Sequence, residues 1–127
     1  MKRNTISWIA RIVIVLILAM PAFMKLSGDA MPVAMFEKLG LGDFGRIGAG
    51  LLEVLAVILL LIPRTKAIGA ALALGSLTGA IIAHLTVLGI VIDGDASLFG
   101  MAVVGAIAAL VLLSFHKEEL PIIGKAA

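Results

Sequence analysis

The stretch from Ile6 to Met24, ISWIARIVIVLILAMPAFM, decides the fold class. Its run Ile12-Val13-Ile14-Val15-Leu16 has no alternation of apolar and polar positions, so it does not read as a strand of a closed barrel. Its length suits one helical crossing of a bilayer core, which takes about 20 residues. Arg11 sits inside it. A cation in hydrocarbon costs roughly 2.5–3.5 kcal/mol on insertion scales, so such a residue normally faces the interior of a bundle. Outward from this segment three more apolar runs follow, from about Gly45 to Ile62, from about Ala67 to Ile90 and from about Ser97 to Phe115. Glu53 interrupts the first of these and His84 the second.

The composition agrees. The chain has 127 residues, 62% hydrophobic and 14% charged, where a soluble domain carries about 25% charged residues. The expected fold is all-α, an integral membrane antiparallel four-helix bundle, with residues 1–127 as a single domain and spans at 6–24, 45–62, 67–90 and 97–115. Its first partner is the lipid bilayer. The absence of Cys removes disulfides, thiol chemistry and Cys-ligated metals. The net charge of +2 rests on scattered Lys and Arg, which argues against a nucleic-acid surface. Lys2-Arg3 ahead of an apolar run mimics a signal peptide, but Met20, two residues before Ala22, is too large for a cleavage site. The segment reads as an uncleaved first helix.

The connections differ in length. Pro63-Arg64-Thr65-Lys66 is a tight turn and makes the second and third spans antiparallel neighbours. Asp93-Gly94-Asp95 marks a second turn. The connection from Lys25 to Phe44 is long enough for a short helix that starts at Pro32 and stops at Gly40, with Met35, Phe36 and Leu39 on one apolar face. It is expected to cap one end of the bundle from the membrane interface. One side of the membrane receives Lys2, Arg3, Arg64, Lys66, Lys117 and Lys125. The other receives Lys25, Lys38 and Arg46 diluted by Asp29, Glu37, Asp43, Asp93 and Asp95. The positive-inside rule then places both termini in the cytoplasm.

Small residues let helices approach closely in lipid. Gly75 and Gly79, followed by Ala83, form a GxxxG pattern in the third span; Gly48 and Gly50 lie in the second, Gly100 and Gly105 in the fourth. Packing within one bundle is the expected use of Gly75 and Gly79, with a homo-oligomer contact as the alternative.

Helical spacing gathers the charges. Arg11 and Lys25 share a face of the first span, Arg46 and Glu53 one of the second, and Lys66 and His84 one of the third. The fourth has no such stripe. Arg11 is expected roughly 6 Å along the axis from Glu53, within reach of an ion pair. That pair can fix helix register or belong to a site. Lys25, Glu53 and His84 are expected to line a cavity in the outer half, beneath the first connection and beside Pro21, which is expected to kink the first helix and free a carbonyl there. The bland role for His84 is a neutral imidazole bonded to a neighbouring hydroxyl or carbonyl. Met20 with Met24 and Met31 with Met35 are thioether pairs, yet Met also fills irregular cores, and no metal site is expected. A haem between His84 and His116 fails on height, since the two lie at different depths.

Several short motifs occur together: Arg11, then Phe23-Met24-Lys25-Leu26, Phe36-Glu37-Lys38-Leu39-Gly40 and Gly50-Leu51-Leu52-Glu53-Val54-Leu55, then Pro63, Gly69 and Ala83-His84-Leu85. In their order and spacing they resemble the DoxX-like family of small four-helix membrane proteins, over nearly the whole chain. Where the family often has Gly or Ser shortly before the Lys, this chain has Ala22-Phe23-Met24. The resemblance implies a protein of the bacterial cytoplasmic (inner) membrane. It points to a membrane subunit of a quinone-linked redox or oxidative-stress system, dependent on a protein partner. A non-enzymatic assembly, scaffold or chaperone role is the alternative. A quinone is the candidate ligand, its head group among Lys25, Glu53 and His84 and its tail toward lipid.

Overall fold

The computed structural model describes residues 2–89 and 96–116. The Asp93-Gly94-Asp95 turn, Lys117 and Lys125 lie outside the described residues. Helix α1 spans Lys2–Ser27 and runs unbroken through Pro21, although Pro21 has no N–H to return to Ile17 O. The chain reverses at Gly28, whose φ of 80° suits a residue without Cβ. Helix α2, Ala30–Lys38, follows at once. Asp29 caps it, its Oδ1 accepting from Met31 N at 3.1 Å. The short helix therefore begins two residues before Pro32, because a side-chain cap sets the start and the proline sits buried inside the first turn.

Helix α3, Gly42–Leu61, is joined to α4, Lys66–Ala83, by a single 3₁₀ turn at Pro63–Thr65. Thr65 Oγ1 ties this turn back by donating to Leu59 O at 2.9 Å. Beyond Ala83 the chain continues as a π turn over His84–Leu88, which the apolar run did not foretell. Helix α5 is Ser97–His116.

Four segments are long and apolar enough to cross a membrane: Asn4–Ser27, Gly42–Leu61, Pro63–Leu88 and Ser97–His116. Helices α1, α3, α4 and α5 pack in chain order, each against the next, and α5 closes back on α1. The result is an all-α, antiparallel four-helix membrane bundle. Large apolar side chains such as Leu16, Met20, Phe23, Ile107 and Leu110 point outward. In water such a surface would drive aggregation; in a bilayer it is the solvated face.

The interior is small-grained. Ile14, Ala56, Leu60, Ala70, Ala73, Ala109 and Leu112 are fully enclosed. Apolar burial gives no drive between helices already in lipid, so close van der Waals contact carries the association. Gly69 marks the tightest approach between two helices: a Cβ there would stand 2.7 Å from Leu60 N, against backbone that cannot yield. Gly50 and Gly105 admit Leu26 and Leu77 in the same way. Gly75 and Gly79 do not pack within the bundle as expected. Nothing lies within 4 Å of where their Cβ atoms would be, because both are on an exposed side of α4, level with a cavity.

Candidate ligand pocket in one half of the bundle

The cavity holds about 540 Å³. It lies between α1, α3, α4 and the start of α5, under α2. Met35 and Phe36 of α2 and its C-cap Leu39 all contribute to the wall, so the apolar face read for the short helix is the face that covers the cavity. Ile17 and Pro21 of α1 also belong to the wall. Most of the lining is apolar; Lys25, Glu53 and His84 supply its ionisable groups. Lys25, Glu53 and His84 thus lie on the wall of one cavity.

Their individual partners differ from expectation. Lys25 Nζ donates to Glu53 Oε1 at 2.7 Å, and Glu53 is only 4% exposed. The anticipated Arg11–Glu53 pair does not form. Arg11 Nε donates instead to Leu60 O at 2.6 Å. Leu60 lies seven residues beyond Glu53, about 10 Å along α3 at 1.5 Å per residue. Arg11 is therefore further from Glu53 in depth than its position in the first span suggested, and Lys25 sits at the matching height.

Arg11 belongs to a separate cluster at the far end of the bundle. Its guanidinium carbon stacks 3.7 Å from the centre of the Trp8 ring. Close by in sequence on α1, Ser7 Oγ is 2.9 Å from His116 Nε2, which ties α1 to α5. His84 and His116 are thus at opposite ends, as their sequence heights required.

Arg46, which helical spacing placed on one face with Glu53, does not line the cavity but holds the end of α1 beside it. Its Nη1 donates to Lys25 O, and its Nη2 to Asp43 Oδ1 at 3.2 Å. Lys25 O belongs to the last turn of α1, and such carbonyls have no partner within the helix. Arg46 satisfies one and places positive charge at the negative end of the helix. Arg11 does the same for α3, since Leu60 O is in that helix's last turn. Each of the two antiparallel helices thus carries a buried Arg that caps the other.

His84 opens the π turn. π turns inserted in α-helices frequently occur at functional sites. Its Nδ1 is 2.8 Å from Ala80 O, and its ring meets Phe99 edge-on at 5.9 Å. The residue is 4% exposed, and its Nε2 has no partner among the described residues. Leaving a buried polar atom unsatisfied costs about 1–3 kcal/mol. The sequence expected either a satisfied core histidine or a ligand-binding one; one ring nitrogen here is satisfied and the other is not.

A multi-pass α-helical membrane protein with a polar-edged cavity in one half of its bundle is the class these features define. The model of the DoxX-like family matches residues 9–114, and the chain belongs to that family. No curated protein and no solved structure matches it.

Proposed function

We propose that the cavity binds a lipid-soluble carrier of the quinone class, and that the protein is the membrane subunit of a quinone-linked redox or oxidative-stress system in the bacterial cytoplasmic membrane. The observation that carries this reading is an apolar cavity of about 540 Å³ with Lys25, Glu53 and His84 on its wall. Ligand sites are mostly apolar with a few polar groups that orient the ligand. A ring with polar oxygens and an apolar tail suits such a place. Lys25 Nζ would donate to a ring oxygen, while Glu53 and His84 are the groups able to exchange protons with it.

Among the described residues no cluster of three or more His, Asp or Glu could hold a metal, and the chain has no Cys. The reading assigns electron exchange with the carrier to a protein partner. The Lys and Arg distribution supports cytoplasmic termini, which puts the cavity in the outer half of the membrane.

The open side of α4 at Gly75 and Gly79 supports a second reading, an assembly or scaffold protein that receives a partner helix there. Mass spectrometry of protein purified gently from its native membrane separates the two. The quinone reading expects bound quinone or quinol, with lower occupancy when His84→Leu is combined with Lys25→Met. Protein that carries none, and takes up none when it is added, would turn the assignment to the scaffold.

A further inference from the structure

We infer that the head group taken by this cavity donates a hydrogen bond to His84, so that a hydroxyl-bearing ligand, the quinol rather than the quinone, is the form it holds. This rests on the quinone-class reading above and narrows it.

Ala80 O sets the tautomer of His84. A carbonyl oxygen only accepts, so the 2.8 Å contact fixes the proton on His84 Nδ1. In the uncharged ring Nε2 then carries a lone pair and can only accept. The ring cannot exchange its two nitrogens cheaply. A flip would break the Nδ1 bond and disturb the edge contact with Phe99, inside a residue that is 4% exposed. Nε2 is the nitrogen with no partner among the described residues. A quinone oxygen brought to this lone pair would meet repulsion, while a quinol hydroxyl would meet an acceptor.

Lys25 complements this. Its ammonium has three donors, of which one goes to Glu53 Oε1. A hydroxyl oxygen accepts as well as donates, so a dihydroxy ring can satisfy a lysine donor and a histidine acceptor. A quinone, which only accepts, can satisfy the lysine alone. Gly75 and Gly79 border the cavity on the exposed side of α4, with open space where a Cβ would stand. They leave room for an apolar tail to pass out toward lipid.

The test uses the full chain in phosphatidylcholine nanodiscs under anaerobic conditions. Affinities are measured for decylubiquinol, for decylubiquinone and for the quinol's dimethyl ether, which keeps the shape but has no donor. A second pair, 4-nonylphenol and its methyl ether, asks the same question without a quinone. The quinol should bind about ten-fold tighter than both its ether and the quinone, the worth of one buried hydrogen bond. The preference should disappear in His84→Phe and persist in His84→Gln, which retains an acceptor. Nitrogen-15 NMR of histidine-labelled protein, assigned through His116→Gln, should find His84 Nε2 unprotonated and shifted when quinol is added. This readout needs no change at His84.

Equal binding of quinol, quinone and ether overturns the inference and leaves the quinone-class reading standing. Preference for nonylphenol over its ether, with neither quinol nor quinone bound, supports the hydroxyl inference and overturns the quinone-class reading. A protonated Nε2 overturns the inference directly, and no binding by any probe overturns both.

Discussion

Lys25 Nζ stands 2.7 Å from Glu53 Oε1 across the contact between α1 and α3, and Lys25's own carbonyl is held by Arg46, two turns before Glu53 on α3. The ion pair and its backbone clamp thus come from the same two helices. Removing one partner of a buried pair strands the other charge and costs about 3–5 kcal/mol, whereas removing both can cost little. Lys25→Met and Glu53→Leu should each lower thermal stability markedly, and the double substitution should recover much of the loss. Strictly additive losses in detergent-solubilised protein would show that the pair is not energetically coupled.

Arg11 and Glu53 should behave independently. They share no partner among the described residues, and Arg11 Nε serves Leu60 O instead. Arg11→Lys, which loses the Nε donor and the planar stack on Trp8, should cost about 1–2 kcal/mol. Combined with Glu53→Gln the losses should add to within about 0.5 kcal/mol. A coupling well above that value would restore the ion pair that the sequence suggested.

The glycines of α4 should separate into two kinds. Gly69→Ala forces a Cβ against Leu60 N and should cost about 1–3 kcal/mol, as overpacking does. Gly75→Ala meets open space and should stay within about 0.5 kcal/mol. Thermal melts of the two variants side by side decide this, and similar losses would contradict the close contact of Gly69 with Leu60.

Topology is open to direct labelling. With cytoplasmic termini, Cys introduced at Ser27 and at Ala96 should react with an impermeant thiol reagent added outside the cell, and Cys at Thr65 should be protected. The reverse pattern would invert the orientation and place the cavity in the cytoplasmic half.

The four spans and the pairing of α3 with α4 were readable because lipid imposes long apolar runs and short turns on the chain. Residues such as Leu16 and Leu110 had only to be apolar, and Pro63 had only to stop a helix. Lys25, Glu53 and His84 stand out in the sequence because charge within hydrocarbon is rare and helical spacing sets its face. Who pairs with whom was not readable. The choice between Arg11 and Lys25 as the partner of Glu53 turns on a vertical offset between α1 and α3 of about two turns, fixed by contacts such as Gly50 against Leu26. The π turn at His84 was hidden for a similar reason, since no residue in Ala83-His84-Leu85-Thr86 carries a distinct signature for that winding. The GxxxG at Gly75 and Gly79 was legible as a pattern but not in its use, because small residues suit a tight contact and an open margin equally well.

The close approach at Gly69 gives the bundle two unlike ends. Around it Ala56, Leu60, Ala70, Ala73 and Leu112 fill the interior, while the cavity occupies the half that holds Lys25 and His84. A pocket floored in this way is a cul-de-sac. On the quinone-class reading proposed above, a guest that enters from one leaflet leaves by the same leaflet, so its loading follows the supply of that guest in a single lipid monolayer.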